Sequence, residues 1–276
     1  IKGTPGERAG LRANDRIIRI GDRDTNYMTT DEAASLMRGE PGTEVTITIQ
    51  RDEESFDVTI VRDMISVNSI EKVEMLEPGI GYIHLTNFSD RTYRELVEAL
   101  DQLDAEGIEG LILDLRFNPG GTLSAALQVA DEFVSSGDLL HLEDRDGNRS
   151  SFAAVEEGTR TPIPMVVLIN GSSASASEIV AGALRDHGLA VLVGTTTFGK
   201  GLVQSIVPLR DGGAISLTEQ VYLTAGGHDI NEVGIVPDYE IEISEEEELA
   251  IYFGEAEVDL QLEKAVEIIR SQIYGE

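Results

Sequence analysis

From about Met64 onward, short apolar runs typical of buried strands alternate with amphipathic patterns typical of helices. Residues 110–116 and 165–170 are apolar along most of their length, as expected for strands of a sheet that is covered on both faces. Helical patterns follow them, one running to about Val134 and one over residues 178–186. Because strands and helices alternate in this order, the sequence predicts an α/β domain.

The first sixty residues have a different pattern and predict a small β-rich module. Residues 16–20 form an apolar run, and the runs 44–51 and 56–62 alternate with period two. A short helix with N-cap residues 29–31 is predicted between the first run and the second. The acidic run 245–248 predicts a solvated helix start, followed by an amphipathic helix. We therefore predict three parts, residues 1–63, 64–243 and 244–276.

Composition excludes several classes of function. The 276 residues carry a net charge of −30, and such a surface repels polyanions, so nucleic acid is not an expected partner. The absence of cysteine excludes disulfides, thiolate zinc sites and cysteine nucleophiles. No apolar run approaches the roughly 20 residues of a membrane span, and the histidines lack metal spacing, so we expect no membrane span, metal or cofactor. The chain begins at Ile1 without an initiator methionine or a signal peptide, so we expect a piece of a longer protein.

The segment 170–182 holds four serines between a predicted buried strand and a predicted helix. Such a junction presents free backbone N–H groups and the positive end of a helix dipole, which suits a nucleophile whose product is an oxyanion. Ser175 and Glu178 also fit the S-x-x-E capping box, so a purely structural serine is the alternative.

Lys200 lies in an otherwise uncharged stretch, residues 189–209. A lysine kept away from water loses its proton more easily and can act as general base toward a serine hydroxyl. Gln204 shares a strand face with position 200 and could orient the amine. The alternative is a loop lysine whose head reaches solvent.

Residues 194–200 also match the start of a phosphate-binding loop, G-x-x-x-x-G-K. Gly201 stands where that motif needs serine or threonine for magnesium, and a β-like segment follows where it needs a helix. Nucleotide binding is therefore disfavoured. A Ser-His-Asp triad that uses one of the scattered histidines is a further, weaker alternative.

Taken together, these segments resemble the C-terminal processing peptidases, also called tail-specific proteases. The residues that carry the match are GYIHLTNFS (81–89), LILDLRFNPGG (111–121), VVLINGSSASASEIVAGAL (166–184), VGTTTFGKGLVQ (193–204) and GIVPD (234–238). Ahead of them, residues 3–22 and 38–45 resemble the later two-thirds of a PDZ domain, whose carboxylate-binding strand and loop would precede Ile1. We therefore expect this chain to bind carboxylate-terminated peptides weakly or not at all.

The resemblance implies a fold and a set of roles. The fold would be an α/β protease core of alternating strands and helices, crotonase/Clp-like, with a partial β-rich PDZ domain. The chain would be a serine endopeptidase with Ser175 as nucleophile, Lys200 as base and Gln204 as its support. The implied oxyanion hole consists of the N–H of Ala176 and that of a glycine, either Gly121 or Gly120.

The same resemblance implies partners and a location. Substrates would be proteins or peptides with exposed C-termini, and the location would be extracytoplasmic: periplasm, cell envelope or secreted. The sequence leaves open whether the chain forms a homo-oligomer. A non-catalytic peptide- or ligand-binding scaffold of the same fold is the alternative function.

Overall fold

The computed structural model describes residues 4–12, 14–65, 68–156, 158–209 and 213–275. The chain forms two compact units, Ile1–Val67 and Asn68–Glu276. Gly3 and Ala13 of the PDZ-like segment lie outside the described residues. The residues predicted as a separate C-terminal part, 244–276, lie within the second unit.

The first unit is an antiparallel sheet with a helix. Its elements in chain order are α1 (Pro5–Arg8), β1 (Arg16–Ile20), β2 (Arg23–Asp24), α2 (Thr30–Met37), β3 (Glu44–Arg51) and β4 (Glu54–Val61). The strand order is β2-β1-β3-β4, and the core comprises Ile20, Ile47, Ile49 and Val58. Alternation with period two thus places the apolar side chains of β3 on one face, as the sequence predicts.

The second unit contains the alternating pattern. Its elements in chain order are β5 (Ile70–Glu77), β6 (Ile80–Leu85), α3 (Thr92–Glu106), β7 (Gly110–Asp114), α4 (Leu123–Asp131), β8 (Asp138–Asp144), β9 (Arg149–Ala153), β10 (Met165–Ile169), α5 (Ala176–Asp186), β11 (Val191–Gly194), β12 (Leu202–Pro208), β13 (Ala214–Thr224), β14 (Tyr239–Glu240), α6 (Glu245–Phe253) and α7 (Leu260–Tyr274). The prediction of an α/β fold is confirmed.

The central sheet has six strands in the order β14-β11-β10-β7-β6-β5. All neighbours are parallel except β5, which pairs antiparallel with β6 at the edge. Helices α3, α4 and α5 cover one face, on which Leu111 and Leu113 are buried, whereas α7 covers the other face, on which Ile112 is buried. Burial on both faces explains the continuous apolar runs of β7 and β10.

A second, antiparallel sheet has the order β12-β13-β8-β9, so β12 is an edge strand. Helix α5 contacts both β8 and β13, which joins this sheet to the main core. Among the described residues, none of the helices combines the length and the apolar character needed to cross a bilayer. Within the same residues, no cluster of three or more His, Asp or Glu side chains could hold a metal ion.

Candidate active site

The glycine turn and the serine segment meet because β7 and β10 are parallel neighbours. The carboxyl ends of parallel strands lie at the same edge of a sheet, so the loops that follow them are adjacent. Gly120 contacts the serine segment so closely that an added Cβ would lie 2.9 Å from the Ser175 Cβ and 2.6 Å from the Ala174 oxygen. With φ of 96°, only glycine fits here without strain.

Ser175 is half-buried and stands at the start of α5 in an unusual backbone conformation. Its φ is 55° and its ψ is −112°, a region that residues with a side chain rarely adopt. Such strain persists only where the surrounding structure enforces it, and it occurs frequently at active sites. One half of the capping box that the structural alternative predicts is formed, because the Glu178 carboxylate accepts the Ser175 N–H.

Asn118 ties the glycine turn to the serine segment. Its backbone oxygen accepts hydrogen bonds from the Ala174 N–H (3.1 Å) and the Ser177 hydroxyl (2.9 Å). Its side-chain oxygen accepts the Gly120 N–H (2.9 Å), which is therefore already engaged. In contrast, within the described part of the chain the N–H groups of Gly121 and Ala176 have no hydrogen-bond partner.

Glu178 connects the serine segment to the lysine segment. This fully buried carboxylate accepts the Ser175 N–H (2.7 Å) and the Lys200 N–H (3.0 Å) on the same oxygen, Oε2. Its other oxygen, Oε1, accepts the Thr197 hydroxyl (2.6 Å) and the Gly199 N–H (2.7 Å). The S-x-x-E pattern predicts only the contact with Ser175, because the contacts of Glu178 with residues 197–200 join segments that are distant in sequence.

Tyr222 is a second residue that sequence reasoning missed. Its buried hydroxyl donates weakly to the Glu178 carboxylate (3.4 Å) and to the backbone carbonyl oxygen of Ser175 (3.3 Å). Burial, together with the charge of Glu178, raises the pKa of Tyr222 above its ordinary value, so the phenol stays protonated. No sequence signal marked it, because β13 comes into contact with α5 only in the folded unit.

The expected dry environment of Lys200 is absent in this conformation. The Lys200 side chain is exposed, and among the described residues it forms no hydrogen bond with Ser175 or Gln204. The Gln204 side chain is also exposed and donates to the Thr218 hydroxyl (3.3 Å). Lys200 lies just ahead of β12, which is the edge strand of its sheet.

Comparison with protein-family models gives two matches. The model described as Peptidase family S41 matches residues 79–241, more than half of the chain. The chain belongs to peptidase family S41. A PDZ domain model matches residues 1–51, in the first unit.

Named S41-type relatives are similar over most of this chain. A carboxyl-terminal-processing protease of Synechocystis sp. is 40% identical over 276 residues, which cover 98% of this chain and 63% of that protein. A carboxy-terminal processing protease of Bacillus subtilis is 39% identical over 88% of this chain and 52% of that protein. The chain thus spans less than two-thirds of the length of these relatives.

A solved structure agrees with this assignment. The photosystem II D1 C-terminal processing protease superposes with a TM-score of 0.64 at 32% identity, covering 87% of this chain and 66% of that one. All the predicted site residues lie inside the S41 match, whereas α6 and α7 lie beyond its end at residue 241.

Proposed function

We propose that this S41 chain is a serine endopeptidase in which Ser175 is the nucleophile and Lys200 the general base. The observation that carries the proposal is the shared oxygen of Glu178, which accepts both backbone N–H groups. The distance between the backbone nitrogens of Ser175 and Lys200 therefore cannot exceed the summed length of these two hydrogen bonds. A serine in a strained turn beside a lysine is the arrangement that a Ser-Lys dyad requires.

In the proposed cycle, the neutral Lys200 amine takes the proton of the Ser175 hydroxyl as the oxygen attacks a peptide carbonyl. The N–H groups of Ala176 and Gly121, which lack internal partners, stabilise the tetrahedral oxyanion. Gly120 suits this role less well because its N–H already bonds to Asn118. Lys200 then protonates the leaving amine, and water releases the acyl group by the same route.

The exposed position of Lys200 adds a requirement to this cycle. A lysine in water is mostly protonated, so the base must lose its contact with solvent before it can accept a proton. We propose that the bound substrate supplies this cover, since a peptide lying over Ser175 also shields the start of β12. Gln204 would then leave Thr218 and orient the Lys200 amine.

Cleavage of an unfolded protein such as casein tests the proposal. The wild-type chain is expected to cleave, and Ser175→Ala is expected to remove all cleavage without lowering the melting temperature. Ser172→Ala is the matched control, because it removes an exposed hydroxyl from the same loop and should cleave at the wild-type rate. Equal cleavage by wild type and Ser175→Ala would overturn the proposal.

The exposed Lys200 also supports one alternative, a non-catalytic scaffold that binds peptides. Such a scaffold would bind casein-derived peptides and leave them intact. The same experiment separates the two functions, because only the peptidase gives products that disappear in Ser175→Ala.

We further propose that substrates are recognised by their C-terminal tails and that the protein works outside the cytoplasm. The PDZ match at residues 1–51 and the names of the relatives support the first point, because PDZ domains bind peptide C-termini at a sheet edge. The family resemblance alone supports the second. Cleavage by the full-length protein of two peptides that differ only in a free or an amidated C-terminus tests tail recognition, and equal cleavage of both would contradict it.

A further inference from the structure

The two C-terminal helices lie outside the S41 match: α6 contacts Phe117 of the segment that carries the glycine turn, and α7 contacts Arg116, the residue just before it. Arg116, which directly precedes this segment, is buried, and its guanidinium forms a bidentate pair with Asp259 at 3.0 and 2.8 Å. It also donates to the Gln261 side chain (3.1 Å) and pairs with buried Asp114. Asp259 is the N-cap of α7, so the position of this helix is coupled to the position of Arg116.

Asp114 completes the buried ion cluster. Burial by itself would raise the pKa of Asp114, but the adjacent Arg116 guanidinium outweighs this effect and lowers the pKa below its ordinary value. The guanidinium lies between two carboxylates, one from β7 and one from the helix N-cap. A bidentate pair of this kind restrains orientation as well as distance.

Helix α6 reaches the same segment by a separate route. Glu248 is the half-buried member of the acidic run 245–248, the rest of which is exposed as the sequence predicts. It accepts a hydrogen bond from the Asn170 side-chain amide (2.8 Å), whose oxygen accepts the Phe117 N–H (2.9 Å). The Tyr252 ring also packs edge-to-face on the Phe117 ring, with centroids 5.1 Å apart.

We infer that α6 and α7 hold residues 117–121 in their reactive geometry, with Glu248 and Asp259 as positioning residues. The inference rests on the proposed function, because residues 117–121 carry the proposed oxyanion donor. Phe117 has φ of 61°, a strained value that needs restraint from its surroundings. Helix α6 restrains the Phe117 ring directly and the Phe117 N–H through Asn170. Helix α7 restrains the preceding residue, Arg116.

Asp259→Asn is the first test, because asparagine still caps α7 but removes the charge that faces Arg116. The value of kcat on an unfolded substrate should fall about ten-fold, since small misplacements of catalytic groups reduce rates by up to 10²-fold. KM should change by less than about two-fold, because uniform binding is not affected. Glu263→Gln, an exposed change in the first turn of α7, is the control and should leave kcat unchanged.

Glu248 gives a second test with a conservative rescue. Glu248→Ala should reduce kcat, whereas Glu248→Gln should restore it, because the glutamine oxygen can still accept from Asn170. Glu246→Ala, an exposed change in the same helix, is the control.

Hydrogen exchange separates this inference from the proposed function. The amides of Phe117 and Gly120, which are hydrogen-bonded to the Asn170 and Asn118 side chains, should exchange faster in Asp259→Asn and Glu248→Ala than in wild type and both controls. Unchanged exchange together with wild-type kcat in both variants would overturn the inference, even if cleavage depends on Ser175. Faster exchange in a chain that shows no Ser175-dependent cleavage would support the positioning and overturn the proposed function.

Discussion

The two sides of the candidate site are built very differently. The serine side, residues 117–121 with 173–178, is largely buried, and Asn118 and Glu178 bind its backbone from several directions. On the lysine side, the N–H groups of Gly199 and Lys200 bond to Glu178 and the Gly201 oxygen accepts the Tyr222 N–H, but the Lys200 side chain is exposed and β12 is an edge strand.

This difference bears on how the site would work. Donors that are already fixed stabilise a developing charge without reorganising, so under the proposed function the serine side would hold an oxyanion without rearrangement. The Lys200 side chain must first lose rotamer freedom and solvent, which opposes the reaction. Ordering of the lysine side is therefore the step that we expect substrate binding to supply.

The largest expected effect tests the lysine side directly. Lys200→Ala should reduce kcat by about 10⁴-fold or more, as loss of a member of a nucleophile–base pair does in other serine peptidases. The melting temperature should not fall, because the side chain is exposed. Lys72→Ala, which removes an exposed lysine paired with Glu74, is the control. Cleavage by Lys200→Ala at the wild-type rate would show that the base is elsewhere.

Glu178→Gln tests whether one carboxylate couples the two sides. The amide of glutamine donates where the site needs an acceptor, so at least one buried N–H loses its partner, which destabilises by about 1–3 kcal/mol. Because both backbone segments depend on Glu178, kcat should also fall by about 10²-fold. Urea unfolding and cleavage assays measure the two effects.

Tyr222→Phe is the control for Glu178→Gln. It removes only the weak contacts of 3.3 and 3.4 Å from the same cluster, so both stability and kcat should remain close to wild type. If Tyr222→Phe is as damaging as Glu178→Gln, the buried carboxylate is not the element that couples the two sides.

Local patterns predicted much of the fold. The strand predictions 16–20 and 44–51 agree with β1 and β3, since period and composition act over a few residues. The packing of α7 on the second face of the sheet could not be predicted, because an amphipathic helix does not specify which surface it covers. The C-terminal segment therefore looked separate in sequence, although its Ile268 and Ile269 belong to a core cluster of the sheet.

The candidate site divides in the same way. Motif positions identified Ser175, Lys200 and the glycine turn, and the structure brings the backbone of all three together. The exposure of Lys200 and the roles of Glu178 and Asn118 could not be predicted, because they depend on contacts between segments distant in sequence. Burial of a side chain is a tertiary property, so an uncharged flanking sequence did not ensure a dry lysine.

A methyl group at Gly120 probes the serine side alone, with an effect on kcat similar to that of Glu178→Gln. In Gly120→Ala the new Cβ would press on Ser175 and Ala174, so kcat should fall by about 10²-fold through misplacement of the nucleophile. Gly107→Ala is the matched control: its φ of 85° resembles the 96° of Gly120, but nothing lies within 4 Å of the added Cβ. Both variants carry backbone strain of about 1–3 kcal/mol, which should lower stability in both. Only Gly120→Ala should also lose kcat.

Gln204→Ala has the smallest expected effect and bears most closely on the lysine side. If Gln204 orients the amine once substrate is bound, kcat should fall by about ten-fold or less, the order of a hydrogen bond worth about 1 kcal/mol. Thr218→Val removes the present partner of Gln204, so it should leave kcat unchanged or raise it by freeing the amide. Equal losses of kcat in both variants would mean that Gln204 acts by holding β12 to β13. A wild-type kcat in Gln204→Ala would show that Gln204 does not orient the Lys200 amine.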